Sequence, residues 1–223
     1  MMPPLDMAGL DPECAAFLRE LEHLVLPGDP RARYRQLCAH FAAKPLPEVI
    51  VDDEPPLRWY TPASPVGTLV WLHGGRFISG GLDTHDSLCR TLAQECGRIV
   101  LAVDYRLAPE HRFPAAIEDA AKGLAAAMAR HECVAVGGDS AGAALALAAA
   151  LESPIIPDAL IMVYPMIDPT CHLASHREFE RGPGPSSLDM RAGWDAWLGS
   201  SSPRLDPRVS PLFAGNLARL PRT

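Results

Sequence analysis

The chain has 223 residues, 48% hydrophobic and 21% charged, which supplies enough apolar material for one substantial core and too much for a disordered chain. Its net charge of −7 contains no run of five like charges, so no nucleic acid and no membrane surface is expected as a partner, and a small neutral substrate fits better. Six cysteines (Cys14, Cys38, Cys89, Cys96, Cys133 and Cys171) without CxxC spacing, an opening Met1–Leu10 with no basic start or apolar run, and no stretch near the roughly 18 apolar residues of a membrane span predict a soluble, unexported, cytoplasmic protein with reduced thiols.

In chain order, residues 12–43 predict two helices, because Cys14, Phe17, Leu18, Leu21, Leu24 and Val25 share one face and Tyr34, Leu37, Cys38 and Phe41 recur at the same spacing. Asp29-Pro30 supplies an N-cap and a first-turn proline for the second. After Pro45 the period shortens: Glu48–Asp52 and Leu57–Thr61 read as short strands around a turn, and Thr68–Leu72 as a continuous apolar strand. Strands and helices then alternate: a helix over Thr84–Gly97, a strand over Ile99–Val103, a helix over Ala115–Arg130, a strand over Val134–Gly138, a helix over Ala141–Leu151 and a strand over Leu160–Tyr164. Ile99–Val103 and Leu160–Val163 are apolar on both faces, as a parallel sheet covered on both sides requires. The expected fold class is α/β with an open, mostly parallel sheet. The remainder is rich in proline and glycine, with one helix around Leu188–Leu198 carrying Trp194 and Trp197.

The strongest chemical signal is VAVGGDSAG, which holds G-x-S-x-G as Gly138-Asp139-Ser140-Ala141-Gly142 between a predicted strand and a predicted helix. Small residues two before and two after the serine let the chain turn sharply and raise Ser140 at the strand end, a nucleophile elbow. The Ala141 N–H then sits at a helix start, where negative charge is favoured. The plainer reading, a glycine-rich turn with an N-cap serine, does not account for this context as well. A phosphate loop lacks its Gly-Lys-Ser/Thr and a dinucleotide fingerprint its glycine spacing. His73-Gly74-Gly75-Arg76 follows the Thr68–Leu72 strand, where an oxyanion loop is expected, and His73 itself is read as a loop-holding histidine and not a catalytic base.

HGGRFISGGLDTHD, DYRLAPEHRFPAAIEDA and GGDSAGA together resemble the hormone-sensitive-lipase family of α/β-hydrolase carboxylesterases, over roughly residues 10–220. The resemblance implies a serine esterase acting on small carboxylic esters with no cofactor and no metal, with oxyanion donors at the N–H groups of Gly75, Arg76 and Ala141 and with Gly74 as the hinge of the loop. It implies N-terminal cap helices in 1–44, a hydrolase core of six strands in 45–167, a second cap segment in 168–205, and a return to the core in 206–223. Arg76 departs from the family's usual third glycine, and a positive φ there would strain the side chain. Glu110, His111 and Arg112 are read as a local hydrogen-bonding cluster, and His85-Asp86 as support for the loop.

Ser140 needs a base and an orienting carboxylate, which in this fold follow the serine in the order acid, then histidine. In the resembled family both lie after strands seven and eight, and DPRVSPLFAGNLARLP reads as the approach to strand seven, so a missing C-terminal portion on the order of 60–90 residues is expected, with the present chain feeble by itself. A substitute set, Ser140 with His172 or His176 and Asp168, is the less favoured possibility. Two other readings remain open: a non-catalytic relative that binds a small apolar ligand, and an assembly role in which the exposed sheet edge pairs two copies as a homodimer or by strand exchange.

Overall fold

Six strands form one sheet, and the computed structural model describes them within residues 11–44, 48–181, 185–199 and 204–223. The leader reading of Met1–Leu10 and parts of the 168–205 segment lie outside the described residues. β1 (Ile50–Glu54) and β2 (Leu57–Thr61) form an antiparallel hairpin, and β3 (Thr68–Leu72), β4 (Ile99–Val103), β5 (Val134–Asp139) and β6 (Ala159–Val163) run parallel in the order β1-β2-β4-β3-β5-β6. The neighbouring strands β3 and β5 are buried along their whole length. This is the α/β-hydrolase arrangement, and the strand order reverses beside β3, which puts the ends of β3 and β5 where ligands bind in such sheets.

Alternation along each strand feeds two cores. Trp59, Val70, Leu72, Leu101, Val103, Val136 and Leu160 point to one side, where helices α4 (Ala115–Arg130) and α5 (Ala141–Glu152) cover them. Tyr60, Leu69, Trp71, Val100 and Ala102 point to the other, against α3 (Asp86–Cys96). Every residue of α5 from Ala141 to Leu151 is buried, and alanine at most of them lets the helix lie close on the sheet. Helix ends follow their local chemistry: Gly97 closes α3 at φ 59°, and Asp29 accepts a hydrogen bond from the Ala32 N–H at the start of α2 (Pro30–His40).

Three expectations need correction. The apolar face of α1 (Pro12–His23) is not a buried one: Ala15 is covered, but Phe17 is 46% and Val25, just beyond the helix, 90% exposed, and α2 has no buried residue. The pair is held instead by Phe17 against Phe41 and by polar contacts from Arg31. β6 is covered on one face only, with Ile161 41% and Val163 36% exposed, because α5 packs beneath it and no described element lies over the opposite face. Glu110 does not form a local cluster with His111 and Arg112; its carboxylate pairs with Arg31 of α2 at 2.6 Å. The strand starting near Glu48 begins at Ile50, and a short helix α6 (Ala174–Glu178) and two 3-10 turns, Pro211–Phe213 and Leu217–Arg219, add to the predicted elements, with α7 at Ser187–Leu198. At the outer edge of β6, the Leu160 N–H donates to the Arg222 carbonyl in a parallel bridge, which lays the last residues against the sheet edge. No described helix is long and apolar enough to cross a membrane.

Candidate active site

Ser140 stands at the hinge between β5 and α5 with φ 54° and ψ −116°, a conformation that costs a non-glycine residue energy and persists only where the surroundings dictate it. Its main chain is fixed on both sides: its N–H donates to the Val163 carbonyl and its carbonyl accepts from the Met166 N–H. Its side chain makes no capping hydrogen bond to α5. The flanking glycines answer to a neighbouring strand: a Cβ on Gly138 would fall on the Leu72 carbonyl, and one on Gly142 on the Leu72 and His73 carbonyls. The elbow is thereby pressed against the end of β3, from which the second motif departs.

That loop turns about one carbonyl. The Gly75 oxygen accepts from the Ile78 and Ser79 N–H groups at 3.1 and 3.0 Å and from the Ser79 hydroxyl at 3.0 Å. Gly75, Arg76 and Phe77 follow at φ 129°, 56° and 64°. Gly74 is no positive-φ hinge; it is a glycine because a Cβ there would meet the Asp139 carboxylate, which accepts its N–H at 3.1 Å. Among the described residues the N–H groups of Gly75 and Arg76 donate to nothing, and that of Ala141 lies at the first position of α5, where no helical acceptor exists.

Asp139, 7% exposed, ties elbow to loop: beside its bond from Gly74, its carboxylate stands 3.2 Å from His85 Nε2, and His85 Nδ1 lies 2.9 Å from Thr84 Oγ1. His73 Nδ1 bonds the Gly74 carbonyl at 2.8 Å, its ring stacks on Tyr105 at 4.1 Å, and the Tyr105 hydroxyl donates to the His73 carbonyl at 2.7 Å. Burial, reinforced by the nearby His85, pushes the His73 imidazole down to about 3, and its Nε2 is buried without a partner among the described residues. His73 is therefore a neutral supporting group.

The remaining candidates are not brought together. Asp168 is occupied by the Thr170 N–H and hydroxyl, at 2.8 and 2.5 Å. His172 is exposed and His176 lies on the short α6, and among the described residues neither is hydrogen-bonded to Asp168 or Ser140. No group of three or more His, Cys, Asp or Glu side chains among the described residues could hold a metal ion. A depression of about 500 Å³ lined by Met128–Glu132 and Ile155–Asp158 lies at the opposite end of the strands, away from Ser140. Sequence reasoning missed Arg31, whose guanidinium bonds the Ile78 and Ala108 carbonyls, and the contact of the α7 residues Asp189 and Gly193 with Arg76; nothing local in the sequence pairs such distant positions.

A family model described as an alpha/beta hydrolase fold matches residues 69–223. The ethyl acetate hydrolase of Pseudomonas putida is 32% identical, over 92% of this chain and 76% of its own length, and the carboxylic ester hydrolase LipN of Mycobacterium tuberculosis is 36% identical, over 85% of this chain and 57% of its own. Among solved structures, an esterase of Pyrobaculum calidifontis superposes with a TM-score of 0.80 at 29% identity, covering 95% of this chain and 77% of that one. The chain thus spans from just over half to about three quarters of the length of these relatives. The chain belongs to the α/β-hydrolase family, among its carboxylesterases of the hormone-sensitive-lipase type.

Proposed function

We propose that this chain carries the nucleophile and oxyanion half of a serine carboxylesterase acting on small carboxylic esters. The observation that carries the reading is Ser140, held at φ 54° between β5 and α5 with its neighbour Asp139 bonded to a loop whose Gly75 and Arg76 N–H groups donate to nothing among the described residues. In this reading the Ser140 Oγ attacks the ester carbonyl carbon, the oxygen that becomes negative is met by the N–H groups of Gly75, Arg76 and Ala141, the alcohol leaves with a proton, and water then releases the acid from the acyl-enzyme. Removing one donor from an oxyanion hole typically costs about 3–4 kcal/mol of barrier.

The Ser140 proton needs an imidazole, and no described histidine is hydrogen-bonded to it. Turnover by these 223 residues is therefore expected to be feeble, with the catalytic acid and histidine lying outside them. Helices α1, α2 and the described part of the 168–205 segment act as a cap over the site, a role supported by Arg31 reaching the loop and by α7 lying against it. A cytoplasmic setting is supported by cysteines that are all unpaired. The names of the relatives, an ethyl acetate hydrolase and acetyl esterases among them, favour short acyl groups.

The test is hydrolysis of p-nitrophenyl butyrate by the purified chain of confirmed mass beside Ser140→Ala. A small turnover lost in the variant is expected. Turnover equal to that of the parent in Ser140→Ala would overturn Ser140 as nucleophile, and vigorous turnover would overturn the placement of acid and base elsewhere, making His172, His176 and Asp168 the next targets.

A further inference from the structure

Two consecutive non-glycine residues, Arg76 and Phe77, hold positive φ on the loop beside Ser140, and such a pair needs outside support. One face of α7 meets both. Asp189, Gly193 and Trp197 fall at i, i+4 and i+8 and so share a stripe of the helix. Asp189 Oδ1 lies 3.2 Å from Arg76 Nη1, in a pair that is partly covered. Gly193 is a seat: a Cβ added there would come within 2.8 Å of both the Arg76 Cβ and the Arg76 carbonyl oxygen. Trp197 stacks on Phe77 with ring centres 4.0 Å apart and planes 8° from parallel, and Trp194 closes the other side at 5.0 Å.

We propose that Asp189 and Gly193 are positioning residues for the oxyanion loop: α7 holds Arg76 and Phe77 in their strained conformation and so sets where the Gly75 and Arg76 N–H groups stand. The argument rests on the esterase reading only for its catalytic consequence. Arg76 makes the device possible in this chain, because a glycine at that position would offer α7 neither a charge for Asp189 nor a Cβ to close on Gly193. Asp189 is itself held in place. Burial of its carboxyl is outweighed by hydrogen bonds from the Ser186 hydroxyl and N–H and by the charges of Arg76 and Arg33, so it stays ionised below the ordinary aspartate range. The helix start that carries it is fastened by the capping box with Ser186. The oxyanion donors are thus gripped from two directions, by Asp139 at Gly74 and by α7 at Arg76.

The test compares the 223-residue chain with Gly193→Ala, Asp189→Asn, and Ala192→Ser as a control on the exposed side of α7, each checked for native circular dichroism. Hydrogen exchange of the peptide covering residues 74–79 is the first readout, because it needs no catalysis. Gly193→Ala is expected to speed exchange there by about tenfold or more, Asp189→Asn by a smaller factor, and the control not at all, with β3 and β5 unchanged in all three. The second readout is turnover of p-nitrophenyl butyrate, where kcat is expected to fall with KM little moved, and where Arg76→Lys retains more activity than Arg76→Met. Unchanged exchange at 74–79 in both Gly193→Ala and Asp189→Asn overturns the proposal. Faster exchange with a parent chain that shows no Ser140-dependent turnover leaves the grip of α7 standing and tells against the esterase reading instead.

Discussion

His73 is the residue whose chemistry has the most measurable consequence. Unfolded, an imidazole titrates near 6.5; in the fold, burial and the neighbouring His85 hold this one at about 3. Below pH 6.5 the unfolded chain therefore takes up a proton that the folded chain refuses, so stability is whole above that pH and falls by about 1.4 kcal/mol per pH unit on the way down to about pH 3. The carboxyls of Asp119, Asp189 and Asp206, lowered from 3.8, and of Glu54 and Glu110, lowered from 4.5, weaken the fold only below those values, while that of Asp104, raised by burial, acts in the opposite direction. Urea unfolding at pH 7 and pH 5 is expected to differ by about 2 kcal/mol, and His73→Gln to lose most of that difference; an equal slope in the variant would sink the assignment. Much at this scale was legible beforehand. The elbow announced itself because glycine, serine and glycine at fixed spacing have one compact solution between a strand and a helix. The link from Asp139 to Gly74 was not, because the two residues are 65 positions apart and only folding makes them neighbours.

Elements whose boundaries depend on local signals came through nearly unchanged. Ala115–Arg130 and Thr68–Leu72 coincide with α4 and β3, since alanine-rich amphipathy and a five-residue apolar run between turns admit little else. What the period of an apolar stripe could not tell was whether anything lies opposite it, and α1 and α2 show the cost of that assumption. Their attachment rests on polar groups: Arg31 Nε donates to the Ile78 carbonyl at 2.8 Å and Nη2 to the Ala108 carbonyl at 2.9 Å, besides Glu110. Arg31→Met is expected to lower stability by about 1–3 kcal/mol by orphaning those carbonyls, read from the shift in the urea midpoint. Glu110→Gln, which removes a solvent-exposed partner only, is expected to leave the midpoint nearly where it is. Equal losses in the two variants would mean that the surface ion pair, and not the carbonyl bonds, fastens α2.

For the whole molecule, the decisive asymmetry lies between the two margins of the sheet. The β1 margin ends in a strand rich in acids, Asp52, Asp53 and Glu54, which discourages pairing with another chain. The β6 margin carries Ile161 and Val163 half out of contact and Tyr164 71% exposed, and among the described residues it is bridged at Arg222 alone. Concentration-dependent mass is therefore expected in sedimentation or light scattering, with Ile161→Lys shifting the chain toward monomer; a parent monomeric at all concentrations would contradict it. The same feature has a mechanical side. β3 is zipped along its full length to β4 and β5, so a force drawn along it loads many hydrogen bonds in shear at once. A tug on Thr223 meets, among the described residues, one backbone link to the sheet, from the Leu160 N–H to the Arg222 carbonyl, and the molecule would peel at that corner before the pairing of β3 gave way.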